Sequence, residues 1–413
     1  MLRLPETEAA LRAMLTFDRP ADAALSAFFR GRPKLGRQDR SQIAEASYGV
    51  IRHLRTLEHL AQGRAPRRLL LAWLARHGGV NLRQFGDEVS PVELEWLRTV
   101  KAAELSDLPA AARQDVPDWL YDRLLEQYGT KTEALVSALN RSGPLDIRVN
   151  PLKISREAAQ AALIRDGIAA EPTPWSPLGL RLKDKPALNR HTLFLDGAIE
   201  VQDEGSQLLA LLTAPRRGEM VCDFCAGAGG KTLLLGGLMH NSGRLYAFDV
   251  AEKRLANLKP RLARSGLSNV HPQLISGETD PKLKRLAGKF DRVLVDAPCS
   301  GLGTLRRNPD LKWRQSPQSV AELIDKQKAI LGSASRLVKA GGRLVYATCS
   351  LLREENEEGV EDFLISHGEF RRLPIGELLA ARGIGLEMEE YLRLDPAIHG
   401  TDGFFAAVME KLA

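Results

Sequence analysis

Cysteine is scarce: four in 413 residues, and none before Cys222. So low a count excludes a disulfide-built scaffold and points to a reducing compartment. Long apolar runs are lacking too, since no stretch approaches the ~20 residues of a membrane span. The first residues, Met1 to Arg19, carry Glu6, Glu8 and Asp18 and lack the apolar block of a secretory signal. The expectation is a cytoplasmic protein with no membrane partner. Charge of one sign is barely in excess, +6 from 58 basic and 52 acidic residues. Internal repeats and low-complexity tracts are absent, and 44% hydrophobic with 27% charged residues excludes wholesale disorder. At roughly 100–200 residues per domain, the length predicts two or three domains.

What is present is uneven along the chain. The first hundred residues read as helices: Ser41 to Ala61 repeats apolar residues at helical spacing (Ile43, Val50, Ile51, Leu54, Leu57, Leu60), and 67–76 and 92–102 continue the pattern. Between Arg30 and Arg68 stand ten Lys/Arg against Asp39, Glu45 and Glu58, so this segment alone exceeds the net charge of the whole chain. It reads either as a solvated helix face or as a footprint for a phosphate backbone. After a polar break at 106–115 come two short helices ending near Asn140. A strand at 145–150, a helix at 156–166 and a strand at 179–183 then suggest a small α+β module, with a Pro-rich loop at 171–177. From Glu219 strands alternate with helices: strands at 220–224, 245–248, 271–275, 292–295 and 343–346, a helix from about 319 to 338, and a terminal strand at 403–411. That alternation predicts a doubly wound, mostly parallel sheet. The expected division is a helical region 1–115, a small α+β module 116–204 and an α/β domain 205–413.

Cys225-Ala226-Gly227-Ala228-Gly229-Gly230-Lys231-Thr232 joins the first strand of that domain to its first helix. Glycines there let backbone approach a ligand at the helix N-terminus. A P-loop would need Gly where Cys225 stands, and a dinucleotide fingerprint would need Gly where Thr232 stands, so both strict phosphate motifs fail. Asp249 ends the next strand nineteen residues after Gly230, near the ~20 at which a carboxylate reaches ribose hydroxyls. S-adenosylmethionine has ribose but no phosphate and tolerates this pattern. The bland alternative is a tight strand–helix turn. Two later strands run into Asp296-Ala297-Pro298-Cys299-Ser300 and Ala347-Thr348-Cys349-Ser350. Ligands of open parallel sheets sit at the carboxyl ends of strands, so both thiols and Asp296 are expected on the rim of the Gly-rich loop. One such cysteine would read as buried structure; two in small-residue turns point to chemistry. Cys222 and Cys225 form C-x-x-C, but Cys222 lies within a strand and no further ligands are at hand, so no metal is expected.

FCAGAGGKT (224–232), VDAPCS (295–300) and YATCS (346–350) resemble motifs of the RNA cytosine-carbon-5 methyltransferases of the Sun/RsmB/NSUN type. RRNPDLKW (306–313), GAIEVQDEGSQL (197–208) and DGFF (402–405) are similar to further segments of that family, and the likeness runs from about residue 117 to the end. Two departures stand out. Gly227-Ala228 replaces the family's Ala-Pro, and Glu278 follows Gly277 where the family has Asp, with Asp280 two residues on. The resemblance implies a Rossmann-like class I methyltransferase domain preceded by an RRM-like α+β module and a NusB-like helical RNA-binding region. It implies S-adenosylmethionine held by Cys225, Ala226, Gly227, Ala228, Gly229, Gly230, Lys231, Asp249, Arg254, Glu278 and Asp296. It also implies catalysis by Cys349, Cys299, Asp296 and Lys231.

Carbon 5 of cytosine is a poor nucleophile, and a thiolate added to carbon 6 makes it an enamine carbon that can take a methyl group. Free thiols are mostly neutral at pH 7, so a cationic cofactor and Lys231 would favour the reactive form. Asp296 would balance charge developing at the base. The motifs alone leave open which cysteine attacks; a Pro-Cys pair does so in DNA cytosine methyltransferases. The family resemblance implies that Cys349 attacks and Cys299 assists product release. The expected partner is RNA, small-subunit ribosomal RNA first and transfer RNA second, met as an unpaired base by a monomer. Arg306, Arg307, Lys312 and Arg314 are expected to help hold it, and the acidic run Glu354 to Asp362 to face solvent. A non-catalytic RNA-binding or ribosome-assembly factor and a DNA methyltransferase are the competing readings; intact Cys299 and Cys349 argue against the first and the lack of a long insertion against the second.

Overall fold

The computed structural model describes residues 3–413. Contacts divide the chain into two compact units, Met1–Ser142 with Thr304–Pro317, and Gly143–Gly303 with Gln318–Ala413.

The first unit is helical. Helices Leu4–Met14, Ala21–Arg30, Arg37–Arg52, Leu54–Ala61, Pro66–Arg76 and Pro91–Ala102 bury Leu11, Ile43, Val50, Leu57, Leu71 and Leu97 completely. Where the sequence reads as one helix from Ser41 to Ala61, the structure breaks at His53. The buried Asp115 carboxylate takes the Thr56 N–H at 2.8 Å and so caps a second helix start from a distant part of the chain. Segment 304–317 belongs to this unit. Trp313 Nε1 donates to the Ile51 carbonyl (2.8 Å), and Lys312 Nζ donates to the Arg52 carbonyl (2.8 Å) and to Asn140 Oδ1 (2.7 Å). Lys312 is fully buried, and burial pushes its amine down to about 7. This corrects the expectation that Lys312 holds RNA: its head group satisfies interior carbonyls. The basic tract is also partly consumed. Arg40, Arg52 and Arg55 bond within the unit, and Arg64 and Arg67 pair with Glu58 and Glu93. Arg30, Arg32, Lys34 and Arg37 remain exposed.

The second unit contains two sheets. The smaller joins β1 (Leu145–Val149), β2 (Ala170–Pro172), β3 (Gly179–Leu182) and β4 (Ile199–Val201) in the order β2-β3-β1-β4. All of its pairs are antiparallel, and helix Arg156–Arg165 buries Ala159 and Leu163 against it. Part of the expected loop at 171–177 is therefore strand; Pro172 is tolerated because β2 is an edge. β4 was too short to show a period.

The larger sheet holds β5 (Met220–Asp223), β6 (Arg244–Asp249), β7 (Val270–Leu274), β8 (Phe290–Asp296), β9 (Val338–Thr348), β10 (Phe370–Leu373), β11 (Leu392–Leu394) and β12 (Phe404–Lys411). Its order is β10-β12-β9-β8-β5-β6-β7, with β11 also on β12. Strands β5 to β9 pair in parallel, and β12 lies antiparallel on β9. Helices on both faces explain the continuous apolar runs of the central strands. Val293 and Val295 of β8, Leu344 and Tyr346 of β9, and Phe405 and Ala407 of β12 enter one core. Their neighbours Leu294, Val345, Ala347, Phe404 and Ala406 enter the other, the period-two alternation of a pleated strand. The chain winds outward through β6 and β7, then restarts at β8 on the other side of β5. That reversal opens a crevice at the carboxyl ends of β5 and β8. No helix among the described residues is long and apolar enough to cross a membrane.

Candidate active site

The Gly-rich loop leaves β5 and enters helix Gly230–Leu238. Gly227 (φ +56°) and Gly229 (φ +85°) adopt left-handed backbone, and a Cβ on Gly229 would lie 2.0 Å from Leu258 Cδ1. Only glycine fits there. Asp249, at the end of β6, accepts the Gly227 N–H (2.8 Å) and the Ala251 N–H (2.7 Å). The Gly-Ala departure from the family motif is thus a pinned turn. Two further cations grip the loop from behind: Arg261 donates to the Ala228 carbonyl (2.7 Å), and Arg148 of β1 donates to the Gly230 carbonyl (2.8 Å) and to Gln202 (2.5 Å). Arg261 is itself held by Glu200 of β4 at 3.0 Å. The small sheet therefore braces the loop of the large one.

Lys231 Nζ donates to Asp296 Oδ2 at 2.6 Å. Burial opposes the lysine charge, but Asp296 and then Asp223 outweigh it, and the amine stays above its ordinary value. Asp223, fully buried, accepts the Thr232 hydroxyl at 2.7 Å on one oxygen, while its other oxygen has no partner. Burial pushes this carboxyl up to about 7. Cys222 and Cys225 are both pushed well above the usual thiol range by burial, Cys222 further by Asp223 and Cys225 by Asp296. All four cysteines are free. Among the described residues, no group of three His, Cys, Asp or Glu side chains is placed to hold a metal ion.

Cys299 follows β8 and Cys349 follows β9, and these strands are parallel neighbours. Their sulfurs lie 3.4 Å apart, and the Cys349 N–H points at Cys299 Sγ (3.3 Å). The hydrogen bond to Cys349, then burial, raises Cys299 well above the usual thiol range. A cavity of about 670 Å³ spans this crevice. Cys225, Ala226, Gly227, Ala228, Gly230, Lys231, Asp249, Arg254, Glu278, Asp296, Cys299 and Cys349 all line it, so the structure brings the expected set together. Gly229 stands behind the wall against Leu258. Between the two candidate acids, Glu278 lines the cavity, whereas Asp280 caps helix Pro281–Arg285 and bonds Ser276 and Lys282.

Sequence reasoning missed several residues. Gln202 and Ser206 reach the same cavity from the segment that carries β4. Glu355, expected in solvent with its acidic neighbours, is fully buried. It accepts the Ser300 N–H (2.8 Å) and Ser300 hydroxyl (2.5 Å), the Ser350 hydroxyl, and Gln327 (3.0 Å). Glu357 is buried too and pairs with Arg393. The available signal was the repeated Cys-Ser pair: two hydroxyls on adjacent strand ends call for a shared acceptor.

A family model described as "16S rRNA methyltransferase RsmB/F" matches residues 210–410, and one described as "Methyltr_RsmF/B-like, ferredoxin-like domain" matches residues 116–189. A probable ribosomal RNA small subunit methyltransferase B from Synechocystis is 33% identical, over 97% of this chain and 97% of that protein. A ribosomal RNA small subunit methyltransferase B from Pasteurella multocida is 36% identical over 72% of this chain and 65% of that protein. Among solved structures, a methyltransferase homologue from Pyrococcus horikoshii superposes with TM-score 0.64 at 31% identity, covering 75% of this chain and all of that one. The cavity agrees with these matches. Its carboxylates, Asp249, Glu278 and Asp296, suit a cationic ligand with ribose hydroxyls, and Gly227 leaves open space where a side chain would stand. The cofactor is S-adenosylmethionine. The chain is a methyltransferase and belongs to the RsmB/F family of 16S rRNA methyltransferases.

Proposed function

We propose that this enzyme methylates carbon 5 of a cytosine in small-subunit ribosomal RNA through a covalent cysteine adduct. The observation that carries this reading is the pair of thiols 3.4 Å apart on the wall of the cavity lined by the Gly-rich loop and Asp296. A single nucleophile would need one sulfur; adduct formation and adduct release give work to two.

Cys349 is the attacking group by family resemblance. Cys299, raised well above the usual thiol range by its hydrogen bond to Cys349 and by burial, fits the assisting role better than the attacking one. The Cys349 thiolate adds to carbon 6 of the cytosine, a C–S bond forms, and the displaced π pair makes carbon 5 nucleophilic. The negative charge pushed toward N3 is neutralised by a proton taken up there from water. Asp296, fixed by Lys231, accepts a hydrogen bond from that N3–H and so offsets the positive charge that grows on it as carbon 5 takes the methyl group. S-adenosylmethionine supplies the methyl group. Carbon 5 then gives up its proton to water, the 5,6 double bond re-forms, and the C–S bond breaks with return of the electron pair to Cys349, while N3 returns its added proton to water; Cys299 assists this release. Asp249, Arg254 and Glu278, with Cys225 and the loop from Ala226 to Gly230, hold the cofactor.

The division into 1–115, 116–204 and 205–413 is the functional one we favour: helical RNA-binding region, small RNA-binding module and catalytic domain. Exposed Arg30, Arg32, Lys34 and Arg37 support an RNA role for the first. The enzyme acts as a monomer in the cytoplasm, a placement that its four free cysteines suit. Bisulfite sequencing of ribosomal and transfer RNA from a strain lacking the protein tests the substrate. Loss of one 5-methylcytosine from the small-subunit RNA is expected; loss from transfer RNA alone would overturn the substrate, and no loss at all would overturn the reaction.

A further inference from the structure

Two strands end side by side in Cys-Ser, and one carboxylate joins them. Glu355 Oε2 accepts both the Ser300 and Ser350 hydroxyls, which also lie 3.1 Å from each other. Glu355 Oε1 takes the Ser300 N–H and Gln327 Nε2. Gln327 spans from there to the Pro298 carbonyl at 3.0 Å, so the whole Pro298–Ser300 turn hangs on this acceptor. Glu355 is held in turn: its carbonyl accepts the Tyr346 hydroxyl (2.8 Å), and Asn356 bonds Thr348 (2.5 Å) and the Ser350 carbonyl (3.1 Å). Every residue flanking the two thiols is thus tied to one buried segment. Burying a carboxylate costs several kcal/mol unless its oxygens are filled, and neither oxygen faces the cavity. The group's oxygens are filled by protein donors, so its position calls for a role other than substrate contact.

We propose that Glu355 is the positioning residue of the cysteine pair, setting the separation of the two sulfurs and biasing which of them carries the negative charge. The proposal rests on the reading that Cys299 and Cys349 are the reacting groups. The mechanism is electrostatic as well as geometric. The turn that holds Ser300 also holds Cys299, and the Glu355 charge adds to the Cys349 hydrogen bond and to burial in keeping Cys299 a thiol. Cys349 then has a proton-bearing neighbour 3.4 Å away for the release step.

The test uses the purified full chain as wild type, Glu355→Gln and Glu355→Ala, without RNA. Iodoacetamide alkylation across pH 7–9 is read at each cysteine by peptide mass spectrometry, and coupling of Cys299 to Cys349 by the thiol oxidant diamide is timed. Glutamine keeps the shape and removes the charge. It should speed Cys299 alkylation roughly three- to tenfold at pH 8, because a thiol relieved of the Glu355 charge ionises more readily, with Cys225 unmoved. Alanine removes the tether and should slow diamide coupling about tenfold by loosening the approach of the sulfurs. Unchanged Cys299 alkylation in Glu355→Gln would overturn the proposal, whatever the alanine variant does. Because neither readout involves RNA or methyl transfer, a failure of the proposed reaction would appear separately, as absent methylation by the wild type.

Discussion

Replacing Asp249 separates two tasks that one carboxylate performs. One oxygen fixes the Gly227 N–H and the other fixes the Ala251 N–H ahead of helix Glu252–Ser265. The same side chain lines the cavity, where its proposed role is to hold the cofactor's ribose. Asp249→Ala strands both N–H groups, at about 1–2 kcal/mol each where water only partly replaces the carboxylate, so a loss of about 2–4 kcal/mol is expected. Asp249→Asn keeps one acceptor and should lose about half of that. Affinity for S-adenosylmethionine should behave differently. If Asp249 holds ribose as proposed, both variants remove its charge-assisted bonds, worth about 1.5–3 kcal/mol, a weakening of roughly 10- to 150-fold. Urea unfolding followed by circular dichroism measures the first quantity, and calorimetric titration with the cofactor measures the second. The two variants should therefore differ in stability and agree in affinity. Wild-type affinity in Asp249→Asn would remove the charge from the cofactor site, and wild-type stability in Asp249→Ala would refute the pinned turn.

Asp223 sits at about 7 in the fold, well above an exposed carboxyl near 4. Between those pH values the folded chain keeps a proton that the unfolded chain has released, so stability falls as pH rises through the window and levels off above about 7. Asp223→Asn has no such proton to lose; its stability relative to wild type should climb by up to about 4 kcal/mol from pH 4 to 7, and a constant difference in pH-dependent denaturation would contradict the shift. In the helical unit, Arg32, Lys34 and Arg37 are exposed, with Arg32 stacked over Phe28 at 4.0 Å. Reversing all three to Glu should lower RNA affinity and flatten the slope of log affinity against log salt by roughly 2, about 0.7 per lost phosphate contact on a single strand. Filter binding across a salt series with an unchanged slope would assign these residues to a merely solvated face.

Much of this site was legible because its signals are local. Gly227 and Gly229, Asp249 at its ribose spacing, and the two Cys-Ser turns each declare themselves within a few residues of a strand end, and β8 and β9 proved adjacent as the sheet pattern requires. What escaped acts across long sequence separations. Arg148 looks like an ordinary strand residue until β1 is seen beneath the Gly230 carbonyl. Glu355 lies in a run of acids whose composition suggests solvent, and only the fold turns it under both cysteines. Lys312 reads as a surface cation beside two arginines, yet its amine caps interior carbonyls and amides. Strands β4, β10 and β11, three or four residues each, are too short to display a period.

The covalent mechanism is tested most directly by asking which cysteine variant traps RNA. The sulfurs are 3.4 Å apart, so both reach the same base, and only the order of events distinguishes them. Cys349→Ala cannot form the C–S bond and should lose methylation while still binding RNA and cofactor. Cys299→Ala should still attack and methylate, then stall before release. Incubated with RNA and S-adenosylmethionine and run on a denaturing gel, Cys299→Ala should show a protein–RNA species that Cys349→Ala and the double variant lack. Accumulation of that species in Cys349→Ala would reverse the assignment. Full activity in both variants with no trapped species in either would contradict the covalent mechanism itself.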